Sequence, residues 1–161
     1  MIGMRTAKPK AAAIDDCSGL ARARAVWDFT TGDARRFCDR LALVIDSAQQ
    51  LQQRDIDVDF VLLLHAGATQ FAARTLTGTK FDKPDAPDLS TAHDQLQHFA
   101  RIGGRILVCG IAMTRSAIAP DNIIDCAAIE HNVYVNSVAL QNRGYAYIRS
   151  EERRVGKECR L

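Results

Sequence analysis

Cysteine pairs at metal-binding spacing are missing from this chain. Among its five cysteines there is no CxxC, and none has a histidine at the spacing of a zinc finger or ribbon, so no metal site is expected. Cys126 and His131 lie five apart, and a lone pair does not make a tetrahedral site. His93 and His98, also five apart on an expected helix, do not share a face. Aromatic residues are scarce at 6%, and Lys and Arg barely outnumber Asp and Glu, 21 to 19. That balance leaves no basic stripe for nucleic acid. No segment approaches the ~20 apolar residues of a membrane span, and the N-terminus lacks the continuous apolar stretch of a signal peptide. These absences set the expectation of a cytoplasmic protein with reduced thiols, without membrane or nucleic-acid partners.

The two ends differ from the middle. Residues 1–23 are rich in Ala, Lys and Arg without a sustained apolar period, and read as a flexible extension. The segment RSEERRVGKEC, Arg149 to Cys159, continues no earlier pattern. By composition it is a solvated charged tail, but it resembles the in-frame translation of a sequencing adapter, which would put the native C-terminus beyond Ile148. Setting residues 149–161 aside removes five basic and three acidic residues from the totals of 21 and 19, leaving 16 of each sign. Residues 1–148, which include the domain proper at 24–148, are then neutral, and the mildly basic pI of 8.3 comes largely from the tail. A chain of this length buries roughly 68% of its unfolded surface and needs no staples.

Within 24–148, apolar runs and amphipathic stretches alternate. Ala25 to Phe29 reads as a first strand, and Thr30-Thr31-Gly32-Asp33 as a loop whose Asp33 caps a helix. Phe37, Leu41, Val44, Ile45, Ala48 and Leu51 recur at spacings of three and four, the mark of an amphipathic helix. Val58 to Leu64 turns continuously apolar, as a strand does in a sheet covered on both faces. A short helix through Phe71 and Ala72 and a loop from Leu76 to Leu89 are expected next. A helix from Ser90 buries Leu96 and Phe99 and stops at Gly103-Gly104. The strand ending in Cys109 follows, then one or two helical turns from Ala112 to Ala117, and a short helix over 122–130. Val133 to Val135 reads as a fourth strand, Ser137 as the cap of a helix over 138–143, and Tyr145 to Ile148 as a fifth strand. The alternation predicts an α/β fold with a parallel sheet between helical layers.

The segment RILVCGIAMTRSAI, Arg105 to Ile118, carries the chemistry. Cys109 ends the apolar run Ile106 to Val108 and Gly110 breaks it, which places a thiol where open α/β sheets bind ligands. A thiol ending such a run is also a common inert core residue. If Cys109 is a nucleophile, a helix start beside it favours the thiolate. The N–H groups of Gly110 and Ile111 would then face the sulfur, with the Arg115 cation one turn on. Cys17 and Cys38 read as bystanders; Cys126 reads as packing or as a resolving thiol. Asp28 has no clear place, because an acid beside a thiolate opposes its ionisation. A phosphate loop at Thr30 to Asp33, as in a nucleotide- or flavin-binding module, is the weaker reading, since Asp33 repels phosphate.

The same residues resemble the DsrE/DsrF-like family, which includes TusD-type sulfur-relay proteins and YchN-type small oligomers. VCGIAMTRSAI fits the family's VCxxAxxRxxI pattern at Val108, Cys109, Ala112, Arg115 and Ile118; LLLHAGATQF and VALQNRGYAYI are similar to its second strand and its closing helix and strand. The resemblance implies a three-layer α/β/α fold with a five-stranded parallel sheet, assembled as a homotrimer or homohexamer; no cofactor is expected. It implies that Cys109 accepts sulfane sulfur as a persulfide from a donor protein and passes it to an acceptor protein, a sulfurtransferase or carrier role. Some members lack this cysteine, so a non-catalytic assembly subunit is the alternative. The implied sheet order sets His65 near Cys109, to deprotonate the thiol or orient substrate, or else to bond the turn through Gly67. It also brings Asn136 and Ser137 beside the Cys109 strand, where Asn136 would line the same pocket.

Overall fold

The structure, a computed structural model, describes residues 15–150. Five strands form one sheet: β1 (Arg22–Phe29), β2 (Asp57–Leu64), β3 (Arg105–Cys109), β4 (Ala128–Glu130) and β5 (Ala146–Arg149). Their order is β4-β3-β2-β1-β5 and every pairing is parallel. Four helices accompany them: α1 (Ala34–Gln52), α2 (Ser90–Arg101), α3 (Gly110–Arg115) and α4 (Val133–Asn142), with 3-10 turns at Ala66–Ala72 and Pro120–Asn122. The chain therefore has the expected α/β fold, a five-stranded parallel sheet flanked by helices.

Strand periodicity divides the core. Phe29, Leu62, Leu64 and Val108 point to the face covered by α1 and α2, where Phe37, Leu41 and Phe99 meet them. Val26, Val61, Leu63, Leu107 and Cys109 point to the opposite face, against Val133 and Leu140 of α4. α1 is capped as expected, with the Asp33 carboxylate accepting from Arg36 N–H at 2.9 Å. β1 begins at Arg22, so three residues ahead of the apolar run pair with β2 from Asp57 on. The 1–23 reading lies mainly outside the described residues, as does the tail beyond Ser150. Arg149, read as part of that tail, pairs with Asp28 in the sheet.

The region after α3 departs from expectation. No helix forms over 122–130: Ile123 and Ile124 are both buried, and adjacent buried residues suit extended backbone with partners on either side. Ile123 bridges Ala73, and β4 follows at Ala128. Val133 to Val135 is not a strand but the first turn of α4, with Val133, Ser137 and Leu140 buried at helical spacing. Asn132, not Ser137, caps it, its side chain accepting from Tyr134 N–H at 3.0 Å. Ser137 lies inside the helix, where its hydroxyl accepts from Gln141. β-branched residues and tyrosine favour strands locally, and here the cap and the buried stripe override that preference.

Candidate functional site

Leu64 pairs with Val108, so His65, the residue just after β2, and Cys109, the last of β3, directly follow paired positions on neighbouring parallel strands. A cleft of about 580 Å³ opens there, at the carboxyl ends of the strands. His65, Ala66 and Gly67 form one wall; Cys109, Ile111, Ala112 and Arg115 form another. Lys80 and Phe81 reach in from the loop before α2, and Asn132 and Tyr134 close it from α4.

Cys109 is buried at this wall and serves as the backbone cap of α3, with φ −74° and ψ 115°. Its side chain makes no capping hydrogen bond, so the sulfur is not spent on the helix. Helix α3 begins directly after it, two residues earlier than expected. Of the expected companions, His65, Ile111 and Arg115 share the cleft with Cys109. The Ile111 N–H does not point to sulfur: it donates to the His131 carbonyl at 3.1 Å, tying α3 to the residue after β4. Gly110 does not line the cleft. It lets α3 approach β4, since a Cβ there would stand 3.3 Å from the Glu130 carbonyl oxygen. Asn136 is not in the cleft either; it sits one turn into α4 and Asn132 and Tyr134 take the wall. A strand would have presented Asn136 at its end, and the helix removes it.

His65 is buried, and its Nε2 is hydrogen-bonded to the Asp28 carboxylate. It thus does not serve the turn through Gly67, which is held instead by Ala68 N–H on the His65 carbonyl and by the Gln70 amide on Gly32 and Gly67. The other Asp28 oxygen accepts from the Tyr147 hydroxyl. Burial pushes the Asp28 carboxyl up, but the bonds from His65 and Tyr147, with the charges of His65 and Arg149, outweigh it and hold the group below the ordinary carboxylate range. Burial, then the Asp28 bond and charge, push the Tyr147 phenol up to about 12. Tyr134 sets its ring edge-on to the His65 imidazole, centroids 5.3 Å apart. Tyr147 in β5, Asp28 in β1 and His65 just past β2 are thus joined by hydrogen bonds, and the row reaches the cleft that His65 shares with Cys109 at the end of β3.

Lys80, Arg115 and His65 bring cationic or protonatable groups to the cleft, and no carboxylate lines it among the described residues. Such a site suits an anionic sulfur or oxygen group. The other described thiols lie elsewhere. Cys38 on α1 and Cys126 in the turn before β4 are half-buried, and burial, helped by Asp39 and Asp125 respectively, pushes each thiol up, away from the thiolate. Lys80 and Tyr134 carried no signal in the sequence. Asp28 did carry one, as an acid inside an apolar strand that must find partners.

Two solved structures share this fold. The protein of unknown function MTH1491 from Methanobacterium thermoautotrophicum superposes with a TM-score of 0.59 at 17% identity, over 79% of this chain and 98% of that one. The YchN protein of E. coli gives 0.56 at 14%, with the same coverage. An uncharacterized protein of Aquifex aeolicus (strain VF5) is 25% identical over 126 residues, which are 78% of this chain; the chain spans about half, 55%, of that relative's length. Residues 26–149, from the middle of β1 to the end of β5 and so including every residue of the row, match the model of one family, and the chain belongs to it: the DsrE/DsrF-like family.

Proposed function

We propose that the protein is a sulfur relay, with Cys109 accepting a sulfane sulfur as a persulfide and passing it to a partner thiol. The observation that carries this reading is Cys109 at the wall of a cleft that gathers Lys80, Arg115 and His65 and, among the described residues, has no lining carboxylate. The Cys109 thiolate attacks the terminal sulfur of a donor persulfide, the donor leaves as its thiolate, and Cys109 holds the S–SH group. An acceptor thiolate then attacks that terminal sulfur and releases Cys109 as thiolate. Electrons balance across the two exchanges without an oxidant. Lys80 and Arg115 counter the negative charge of the persulfide, and the backbone dipole of α3 adds to them.

The partners are a sulfur-donor and a sulfur-acceptor protein, and the setting is the reducing cytoplasm, where such thiols persist. Family membership and the exposed apolar side chains of α4 support self-assembly, as a homotrimer or homohexamer.

The test is the intact mass of the full chain before and after a persulfide donor. One added sulfur atom, reversed by reductant, absent in Cys109→Ser and retained in Cys38→Ser, is the expected result. A folded protein that gains no sulfur, or loses the gain only in Cys38→Ser, overturns the reading in favour of a non-catalytic assembly subunit.

A further inference from the structure

We infer that Asp28 is a positioning residue for Cys109: it fixes the His65 ring so that Nε2–H stays on the carboxylate and Nδ1 is left to take the thiol proton. The inference rests on the reading of Cys109 as a nucleophile. Four observations lead to it. Asp28 in β1 pairs with Leu63, two residues before His65 at the end of β2, and Leu64 pairs with Val108, so the three side chains come to the carboxyl ends of three neighbouring strands. Asp28 is buried in the apolar second half of β1, a placement that is costly unless partnered. Both of its oxygens are taken, one by His65 and one by Tyr147, so the carboxylate cannot swing away. Finally, His65 and Cys109 line the same cleft, and Tyr134 packs edge-on against the imidazole and restricts its tilt.

The step is a proton transfer. The Cys109 S–H bond breaks, its proton moves to His65 Nδ1, and the electron pair stays on sulfur as the attacking thiolate. The resulting imidazolium lies between the thiolate and the Asp28 carboxylate. Asp28 therefore does not oppose ionisation of the thiol, as an acid directly beside it would; the cationic ring stands between them. Tyr147 contributes by holding Asp28 at one oxygen while His65 takes the other. The remaining charged or titratable groups that face the row are Lys80 from the loop, Arg115 from α3, Glu130 from β4, Tyr134 from α4 and Arg149 from β5. They are common to wild type and to the variants below, so a difference in profile reports on the row.

The test measures alkylation of Cys109 by iodoacetamide against pH, read by peptide mass mapping on the full chain, for wild type, Asp28→Asn, Tyr147→Phe and His65→Gln. A ring-nitrogen NMR spectrum of wild type and Asp28→Asn accompanies it. We expect Asp28→Asn to alkylate about tenfold more slowly at pH 7. Tyr147→Phe should fall between, and His65→Gln at least match Asp28→Asn. The His65 spectrum should show the Nε2–H tautomer in wild type and lose it in Asp28→Asn. A common rate profile for wild type and His65→Gln, or an Nδ1–H tautomer in wild type, overturns the inference. Should Asp28→Asn fail to fold, those two results decide it alone. Sulfur uptake separates the readings: uptake with a His65-independent alkylation profile sinks this inference and leaves the relay standing. A His65-dependent profile without uptake does the reverse.

Discussion

Asp28 concentrates the energetics of the site in one side chain. Its carboxylate is buried at the end of β1, and two hydrogen bonds keep it ionised there. Because its folded-state pKa is depressed, its contribution to stability is complete above the unfolded-chain value of about 4 and is lost as pH falls through the folded value. Tyr147 has the opposite sign: its proton is held up to about 12 in the fold, so its contribution is complete below about 10 and is lost as pH rises from there. Urea midpoints at pH 7 and pH 3 should therefore drop less in Asp28→Asn than in wild type, and Tyr147→Phe should flatten the loss above pH 10. An equal acid drop in both proteins would mean that Asp28 is not ionised in the fold. At this scale the sequence displayed Cys109, His65, Ile111 and Arg115, because a strand end followed by glycine or a turn is a local signal. It did not display the Asp28 bond. That contact joins residues 37 apart, and only the parallel register of β1 and β2 brings them together.

Elements position these side chains through close backbone contact, and the turn after β2 is the tightest. A Cβ on Gly67 would stand 2.8 Å from the backbone of Gly32, with the Thr30 carbonyl oxygen at 3.2 Å. Those atoms belong to the loop that leads into α1, so neither side can yield without moving β1 or His65. Ala66 beside it already holds a left-handed φ of 49°. Gly67→Ala should cost about 1–3 kcal/mol in denaturant unfolding and slow Cys109 alkylation along with it. A fall in stability with unchanged alkylation would separate the turn from the site. The helix α4 makes a second case. Asn132→Ala should cost about 1 kcal/mol by removing the cap, checked in the same unfolding experiment, whereas Ser137→Ala, which removes no cap, should cost less. Most elements were legible from periodicity: α1, β2, α2 and β3 each carry long, one-sided patterns. The stretch from Asn122 to Val138 was not. Its pieces are short, β4 has three residues, and α4 opens with residues of strand preference. There the outcome depends on Asn132 and on which residues the sheet buries.

The two faces of the sheet are covered unequally, which sets an expectation for the whole molecule. α1 and α2 lie on one face, while α4 packs across the other over a smaller apolar cluster. Among the described residues no helix is long and apolar enough to cross a membrane. Tyr134, Val135 and Val138 are 63%, 66% and 61% exposed there. Neighbouring apolar side chains on one exposed helix face are the feature a second copy of the chain would cover. Tyr134 also walls the cleft, so such a copy would sit beside Cys109 and narrow the approach to it. Assembly and access to the thiol are then coupled. Sedimentation velocity of wild type should show a species larger than the monomer, and Val135→Glu combined with Val138→Glu should return it to monomer mass with its far-UV spectrum unchanged. In the same double variant Cys109 should alkylate faster, because the cleft loses a neighbour and gains none. A wild type that sediments as a monomer would leave the α4 face to a partner of another kind. An assembly that survives both charges would move the contact to a different part of the molecule and uncouple it from the thiol.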